Sequence, residues 1–147
     1  MNHNSYARLA AMTALSFASM YVLMYAMVDS ISSVYPNFNQ FYMAGLMTAP
    51  MVIFELALMG MMYENKSLNL AIMAIAAIAL IGFFGLIRYQ TAINDRQFLK
   101  SMIPHHSGAI LMCREAEISD AELKTLCANI IASQQREIDQ MKAILKR

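Results

Sequence analysis

The chain has 147 residues, of which 59% are hydrophobic and 14% charged, and its formal net charge is +1. This balance gives no indication of nucleic-acid binding, and 2 cysteines are too few for a disulfide-stabilised scaffold. The charges are unevenly distributed, because only Arg8 and Lys66 among the 11 lysines and arginines precede residue 88. The pattern predicts an all-α protein with a membrane domain over residues 1–90 and a helical hairpin domain over residues 91–147.

Three apolar segments are each long enough to cross a bilayer, which takes roughly 20 residues in a helix. They are Tyr6–Val28, Phe41–Met62 and Leu68–Tyr89. The first is longer than the apolar part of a secretory signal peptide and lacks a small-residue cleavage site, so we expect a retained helix. A polar connection, Asp29–Gln40, joins the first two segments. The short connection Tyr63–Ser67 predicts that the second and third form an antiparallel pair.

The basic residues near these segments indicate how the chain is oriented in the membrane. Three spans put Arg8 and Lys66 on the same side, and a cytoplasmic position for both satisfies the positive-inside rule. Arg88, Arg96 and Lys100 then lie on the exported side, against the same rule. We expect Arg8 and Lys66 to be cytoplasmic. The protein then lies in a bacterial inner membrane with its carboxyl-terminal domain in the periplasm.

Methionines and one carboxylate are the notable side chains of the apolar segments. Of 15 methionines, three share one face of the first segment and three share one face of the second: Met20, Met24, Met27, Met43, Met47 and Met51. Thioethers bind the cuprous ion, so the stripes suit a copper transport path, but methionine is also an ordinary packing residue and we favour packing. Glu55 lies inside the second segment, where a charge is costly. It is a candidate cation ligand, a candidate proton relay, or a protonated structural residue hydrogen-bonded to a serine or threonine on a neighbouring helix.

After the third segment the sequence becomes amphipathic. From Asn94 to about Glu117, one helical face recurs at about 100° per residue and comprises Phe98, Met102, His105, His106, Ala109, Met112 and Cys113. Pro104 is expected to kink or loosen this helix just before the histidines. No strong helix breaker separates Tyr89 from Asp95, so we expect the third apolar helix to continue almost directly into this one.

A second amphipathic helix is predicted after a turn at Ile118–Asp120. Ser119, with Glu122 three residues later, fits a capping box, and the helix is expected to end at about Leu145. Its inward positions are Leu123, Leu126, Cys127, Ile130, Gln134, Glu137, Ile138, Met141 and Leu145. Antiparallel folding brings positions whose numbers sum to about 240 to one level. The pairs that this register places level or within one turn are Cys113 and Cys127, His106 and Gln134, His105 and Glu137, and Met102 and Met141.

Copper is the metal that best suits the histidines and methionines that this register brings together. Mixed imidazole and thioether ligands favour copper, and thioethers favour its cuprous form, whereas zinc prefers thiolates, imidazoles and carboxylates. His105 and His106 point about 100° apart on a helix, so one ion cannot readily bind both. Either Pro104 bends the helix, or the two histidines serve different ions, or one of them contacts a second subunit. A buried histidine pair without metal is the alternative.

Two stretches carry a family resemblance: D-R-Q-F-L-K-S-M-I-P-H-H-S-G-A-I-L-M at Asp95–Met112 and I-I-A-S-Q-Q-R-E-I-D-Q-M at Ile130–Met141. Over roughly Asn94–Leu145 they resemble the domain of unknown function number 305, and the three apolar segments resemble its membrane-anchored branch. This family is ferritin-like and includes periplasmic copper-binding proteins, so the resemblance implies a helical copper-handling domain. The ligand candidates that it implies are Met102, His105, His106, Met112 and Met141, with Asp95, Gln135 and Glu137 as polar positions of the motifs.

Cys113 departs from the family pattern, in which a small residue is expected beside Met112. Its thiol is either a copper ligand or a disulfide partner of Cys127. Cys113, Cys127 and Glu55 are additional candidate ligands. The main candidate set is Met102, His105, His106, Met112, Met141 and Glu137.

These observations together predict a membrane-anchored protein that binds copper, as Cu(I) in preference, for tolerance, storage or delivery, and that is not an enzyme. A lone hairpin buries too little apolar surface, so self-association, preferably as a dimer, is expected to complete a four-helix bundle. The expected partners are the lipid bilayer, copper ions and a second copy of the chain. The alternative is a metal-free module that oligomerises through the hairpin, and a copper transporter is a third hypothesis.

Overall fold

A computed structural model describes the backbone of residues 3–147 and the side chains of residues 5–147. Over this range it contains five α-helices and no strand: α1 (His3–Leu23), α2 (Phe38–Leu58), α3 (Lys66–Arg88), α4 (Asp95–Glu115) and α5 (Ala121–Leu145). Short 3-10 helices follow α1 at Met24–Met27 and Ile31–Ser33, and another follows α2 at Gly60–Met62. The prediction of an all-helical chain is confirmed.

The chain divides into two compact units. Unit 1 comprises Met1–Leu23 and Asn39–Thr91, whereas unit 2 comprises Met24–Phe38 and Ala92–Arg147. The division after Thr91 lies beside the predicted boundary at residue 90. The connection between α1 and α2 belongs to the unit of the hairpin, and the sequence does not indicate this because a connection carries no helical periodicity.

Three described helices are long and apolar enough to cross a membrane, namely Ser5–Met27, Phe38–Leu58 and Lys66–Arg88. They correspond to the three predicted segments, with bounds that differ by one to four residues. The first changes character near its end, because the regular α-helix stops at Leu23 and the chain continues as a 3-10 helix.

The core of unit 1 lies where the connection between α2 and α3 meets α1. Its buried members are Leu9, Val52, Leu56, Tyr63 and Ala76. Asn65 caps α3 by accepting a hydrogen bond from the backbone N–H of Leu68 at 3.0 Å. Asn69 donates to the carbonyl oxygen of Tyr63 at 3.0 Å and accepts from the Tyr6 hydroxyl at 2.7 Å. Polar side chains therefore hold this short connection in place.

Gly45 marks a close approach of α2 to α3. A Cβ atom built on Gly45 collides with the ring of Phe83, so a larger residue must displace that ring. We expect Gly45→Ala to destabilise unit 1 by about 1–3 kcal/mol, as overpacking usually does. Gly82→Ala is the matched control, because a Cβ atom there meets nothing within 4 Å. Thermal unfolding in detergent should show a lowered midpoint for Gly45→Ala alone, and equal midpoints would contradict this packing.

The expectation of a nearly continuous helix from α3 into α4 is wrong. Gln90 and Ala92 have φ values of 49° and 60°, in the left-handed region that ends a right-handed helix. The N–H of Gln90 donates to the carbonyl of Ile87, and that of Thr91 donates to the carbonyl of Leu86. This pair of bonds is a Schellman motif, which usually carries glycine where Gln90 stands, and the missing glycine explains why the sequence shows no breaker.

The ends of α4 and α5 are fixed by side-chain caps. Asn94 accepts a hydrogen bond from the N–H of Gln97 at 3.0 Å. From there α4 runs as one helix that contains Pro104, the residue at which a kink or a local loosening was predicted. Asp120 accepts from the N–H of Leu123 at 2.8 Å and is the N-cap of α5. The helix therefore begins one residue later than predicted, and the predicted capping box of Ser119 and Glu122 is replaced by the single side-chain cap of Asp120.

The core of unit 2 lies between α4 and α5. Its buried members are Ile103, Ile110, Ile138 and Met141. Of the predicted inward positions of α5, Cys127, Ile138 and Met141 are buried, but Leu123 and Leu126 are 44% and 51% exposed. The hairpin therefore leaves part of its apolar surface uncovered.

Met24–Phe38 packs on one side of the hairpin. The backbone N–H of Asp29 donates to Oγ of Ser107 at 2.9 Å, and its carboxylate accepts from Arg114 at 2.5 Å. Gly108 allows the segment to come close, because a Cβ atom there would lie 3.3 Å from the carbonyl oxygen of Met27. The predicted polar connection is thus a structural part of unit 2.

Candidate metal centre

His106 is buried between α4 and α5, and both of its ring nitrogens are bonded. Nδ1 lies 2.9 Å from the backbone oxygen of Met102, one helical turn earlier. Nε2 lies 2.6 Å from Oε2 of Glu137 on α5. The side chain of His106 is 10% exposed, whereas that of Glu137 is 51% exposed. An imidazole–carboxylate pair therefore joins the two helices at the edge of their core.

These contacts favour one arrangement of the ring's hydrogen bonds. A backbone carbonyl only accepts, so Nδ1 of His106 carries a proton and donates it to Met102. A hydrogen bond between Nε2 and Glu137, 2.6 Å apart, requires a proton on one of these two groups. A metal ion that binds Nε2 must displace this proton.

Two methionines extend the pair along the same helix faces. Met102 precedes His106 by four residues on α4, and Glu137 precedes Met141 by four residues on α5. Residues four apart are neighbours on one face of an α-helix. Met141 is a member of the buried core of unit 2, and Met102 packs against that core. The hairpin thus brings four predicted ligands, two from each helix, into one region.

The register at this level differs from the predicted one. Cys113 and Cys127 pair as predicted, but His106 contacts Glu137, whereas the register predicts Gln134. Helical side chains lean toward the amino terminus of their own helix. Because the helices are antiparallel, His106 leans toward the level of Glu137 while Glu137 leans back toward His106. Counting backbone positions alone does not capture this.

Two predicted ligands lie apart from the pair. His105 is exposed, and its ring centroid lies 6.3 Å from that of His106 with the ring planes 64° apart. Met112 is 54% exposed, more than one turn beyond His106 on α4. Among the other polar positions of the motifs, Asp95 lies in the first turn of α4, and Gln135 donates to Asp139 on α5. A single chain therefore does not gather the whole predicted set.

The two cysteines form a disulfide, with their Cα atoms 5.2 Å apart. This geometry realises one of the two expectations for Cys113 and makes the other, a thiolate copper ligand, wrong for both residues, since a disulfide sulfur is not a thiolate. The bond joins α4 to α5 next to the turn, on the far side of the core from Met102 and Met141 along the hairpin. It stabilises the scaffold of the site without being part of it.

The donor set of one chain fits a soft cation. Within the described residues, no group of three or more His, Cys, Asp or Glu side chains is placed to hold a metal ion. The set consists of one imidazole, one carboxylate and two thioethers. Thioethers favour the cuprous ion, whereas zinc prefers thiolates, imidazoles and carboxylates, so the set suits copper better than zinc.

Residues 56–145, more than half of the chain, match the family model described as Domain of unknown function (DUF305). The chain belongs to the DUF305 family. The DUF305 match begins within α2 and includes α3, so it extends well beyond the stretch at Asn94–Leu145 that carries the sequence motifs.

The DUF305 chain is also similar to a protein of Acanthamoeba polyphaga mimivirus described as "Uncharacterized protein L153". The two are 38% identical over 119 residues, which covers 80% of this chain and 76% of the relative. No solved structure gives a significant match to the DUF305 chain.

Glu55 of the DUF305 chain has a structural partner in unit 1. Its Oε1 accepts a hydrogen bond from the hydroxyl of Tyr63 at 3.1 Å, whereas a partner on a neighbouring helix was predicted. Burial raises the pKa of the Tyr63 phenol, and the hydrogen bond to Glu55 and the nearby carboxylate charge raise it further. Tyr63 lies in the connection between α2 and α3, so the pair ties that connection to the end of α2.

The predicted methionine stripes do not form one path in unit 1. Met24 and Met27 lie in the 3-10 helix that belongs to unit 2, and not on the α-helical face of Met20. Met43 and Met47 are exposed on the surface of α2. Their positions are those of packing or lipid-facing residues, which is the interpretation that the composition favours.

Little in the sequence indicates the role of Asp29, Ser107 and Arg114, which hold Met24–Phe38 against the hairpin. Ser107 is buried directly beside His106, and Gly108 follows it. Two small residues after a histidine pair on a helix are a usable signal, because they leave room for another segment of the chain. They let Met24–Phe38 pack against α4, on a different side of that helix from Glu137.

Proposed function

We propose that this DUF305 protein is a membrane-anchored copper-binding protein that serves copper tolerance, storage or delivery. The cuprous ion is the favoured cargo, and its ligands are Met102, His106, Glu137 and Met141. The hairpin pairs with that of a second copy in a four-helix bundle, and its role is binding rather than catalysis. The observation that carries the proposal is the contact between Nε2 of His106 and Glu137. Met102 and Met141 lie four residues from these two on the same helix faces, and both take part in the core of unit 2.

Binding at this pair exchanges a proton for a metal ion. The bond from Nδ1 of His106 to the carbonyl of Met102 fixes the ring orientation and leaves Nε2 as the ligand atom. Glu137 is half exposed and gives the ion a route from solvent, while the buried thioether of Met141 lies on the core side. The site therefore takes a cation from water into a partly apolar setting.

Copper analysis of the purified full-length protein tests this proposal. Wild type, His105→Ala/His106→Ala and the control Gln135→Ala are loaded anaerobically with Cu(I), and the copper content per chain is measured. Gln135 is exposed and bonded to Asp139, so its loss leaves the site intact. We expect copper in wild type and control, and at least about 10-fold to 100-fold weaker binding by the double variant. Equal copper content in all three folded proteins would contradict the proposal.

A metal-free structural module is the second candidate function. The observation that favours it is that His106 and Glu137 already satisfy each other, and a fully bonded polar pair helps to specify one packing of a core. In that case the wild type binds no copper, and removal of His106 affects only stability or self-association. The same copper measurement separates the two functions.

We also propose that the three apolar helices span a bacterial inner membrane and that the hairpin faces the periplasm. Three spans put Met24–Phe38 and the hairpin on the same side of the bilayer, which is consistent with their packing together in unit 2. The disulfide between Cys113 and Cys127 supports an exported hairpin, since disulfides persist in oxidising compartments such as the periplasm.

Alkaline phosphatase fusions test this orientation, because that enzyme folds only in an oxidising compartment. A fusion after Arg147 is expected to be active. A fusion after Glu64, in the connection between α2 and α3, is the matched control and is expected to be inactive. Activity of the Glu64 fusion with an inactive Arg147 fusion would reverse the orientation and remove the proposed periplasmic site.

A further inference from the structure

One long side of the hairpin is exposed although it is rich in apolar side chains. Met24–Phe38 packs on the opposite side, through Ser107, Gly108 and Arg114. The exposed side carries five large apolar residues that are each 40–54% exposed: Phe98, Met112, Leu123, Leu126 and Ile144. Large apolar side chains that are exposed on one side of a hairpin mark a contact site.

The part of this side that belongs to α4 has the spacing of a helix that packs lengthwise against another helix. Its members alternate at intervals of four and three residues and are Phe98, Met102, His105, Ala109 and Met112. The two ends of the stripe, Phe98 and Met112, each lie seven residues from His105. An antiparallel copy of the same helix, paired about His105, places Phe98 level with Met112 and the bulky Met102 within one residue of the small Ala109. The occupant that this pattern fits is a second copy of the chain.

The polar groups at the level of His105 are complementary between two such copies. His105 is exposed, and the side chain of Glu137 is half exposed at the neighbouring position of α5. Glu137 uses Oε2 for His106, whereas its Oε1 accepts no hydrogen bond from any described residue. An imidazole that arrives from the second copy therefore meets a carboxylate oxygen that is open to it.

We propose that His105 of a second copy completes the metal site that His106 and Glu137 begin. Adjacent histidines point about 100° apart on a helix, so one turns into its own hairpin and the other turns toward the partner. Each pair of chains then contains two equivalent sites. The metal in this inference rests on the proposed copper binding, whereas the pairing of the chains does not.

Cysteine cross-linking in membranes tests the pairing without copper. His105→Cys lies at the two-fold axis and is expected to give a covalent dimer with a short thiol cross-linker. Ala132→Cys, on an exposed position of α5 away from this side, is the control and is expected to stay monomeric. Equal cross-linking by both variants, or none by His105→Cys, would overturn the pairing at this level.

A second pair of variants keeps this test decisive if His105→Cys misfolds. Phe98→Cys and Met112→Cys chains, expressed together, are expected to cross-link to each other. Each expressed alone is expected to stay monomeric, because an antiparallel pairing separates identical positions at the two ends of the stripe. Absence of the mixed product would overturn the proposed contact.

Mixed dimers test the contribution of His105 to the metal. A dimer of one His105→Ala chain and one His106→Ala chain retains one intact site. In that site the His105→Ala chain supplies His106 and Glu137, and the His106→Ala chain supplies His105. Isolated through two different affinity tags, it is expected to bind half the copper of wild type. Each variant alone is expected to bind at least about 10-fold more weakly than wild type.

The outcomes separate the two proposals. Copper binding by a mixed dimer equal to the average of the two variant homodimers would overturn the role of His105 while leaving copper binding at His106 intact. Absence of copper from the wild type would overturn the proposed function, and the cross-links would still decide whether the chains pair at His105.

Discussion

Replacing both Cys113 and Cys127 by serine is expected to lower the free energy of unfolding of unit 2 by about 3 kcal/mol. The disulfide closes a loop of sequence separation 14 that contains the turn between α4 and α5. Opening this loop enlarges the conformational freedom of the unfolded chain, which is the usual origin of disulfide stabilisation. Urea denaturation of the detergent-solubilised protein, followed by circular dichroism, measures the difference.

Two controls accompany this prediction. Reduction of the wild type is expected to reproduce the loss of stability, whereas reduction of the double variant is expected to change nothing. The variant should also retain its copper under conditions where it is folded, because the cysteines are not ligands. An unchanged denaturation midpoint would contradict the disulfide, and copper loss from the folded variant would restore the thiolate hypothesis.

Replacing Ile138 by alanine is expected to destabilise unit 2 by about 2–5 kcal/mol, the range for removal of a buried isoleucine side chain. Ile138 is 2% exposed and follows Glu137 directly, at the centre of the core shared by α4 and α5. The cavity should also loosen the position of Glu137 opposite His106, so copper affinity is expected to fall together with stability.

Ile138→Val provides the graded control. It removes one methylene group and is expected to cost about 0.5–1.5 kcal/mol, with a correspondingly smaller loss of copper affinity. The same denaturation series measures both variants. Equal stability of wild type and Ile138→Ala would show that α4 and α5 do not share this core.

Simple periodic patterns were enough to predict the helices. The long apolar runs indicate three helices of membrane-spanning length, and the amphipathic spacing from Asn94 onward indicates the hairpin. Numbering from the turn also pairs Cys113 with Cys127 correctly. These features depend on helix geometry and on the burial of apolar faces, both of which can be read along the chain.

Tertiary packing decides what the sequence could not predict. The break between α3 and α4 relies on left-handed backbone at Gln90 and Ala92, residues that seldom adopt it, so no local signal predicts it. The packing of Met24–Phe38 on the hairpin depends on Ser107 and its bond to Asp29, partners far apart in sequence. Such contacts follow from the whole fold and not from a pattern within one element.

The candidate site could be predicted in part. The motifs single out His106 and Glu137, and the structure brings them into contact. The direction in which each side chain leans decides that they meet, and it also decides that His105 is turned outward. Sequence spacing indicates the right residues but not which of two adjacent histidines faces the core, because both lie near the edge of the same helical face.

The central claim is that His106 and Glu137, together with Met102 and Met141, form a copper site. X-ray absorption at the copper edge of the Cu(I)-loaded full-length protein tests it most directly. We expect a nitrogen or oxygen shell together with a sulfur shell, the first reduced in His106→Ala and the second in Met102→Leu/Met141→Leu. Identical spectra and copper contents in the wild type and both variants would contradict the claim.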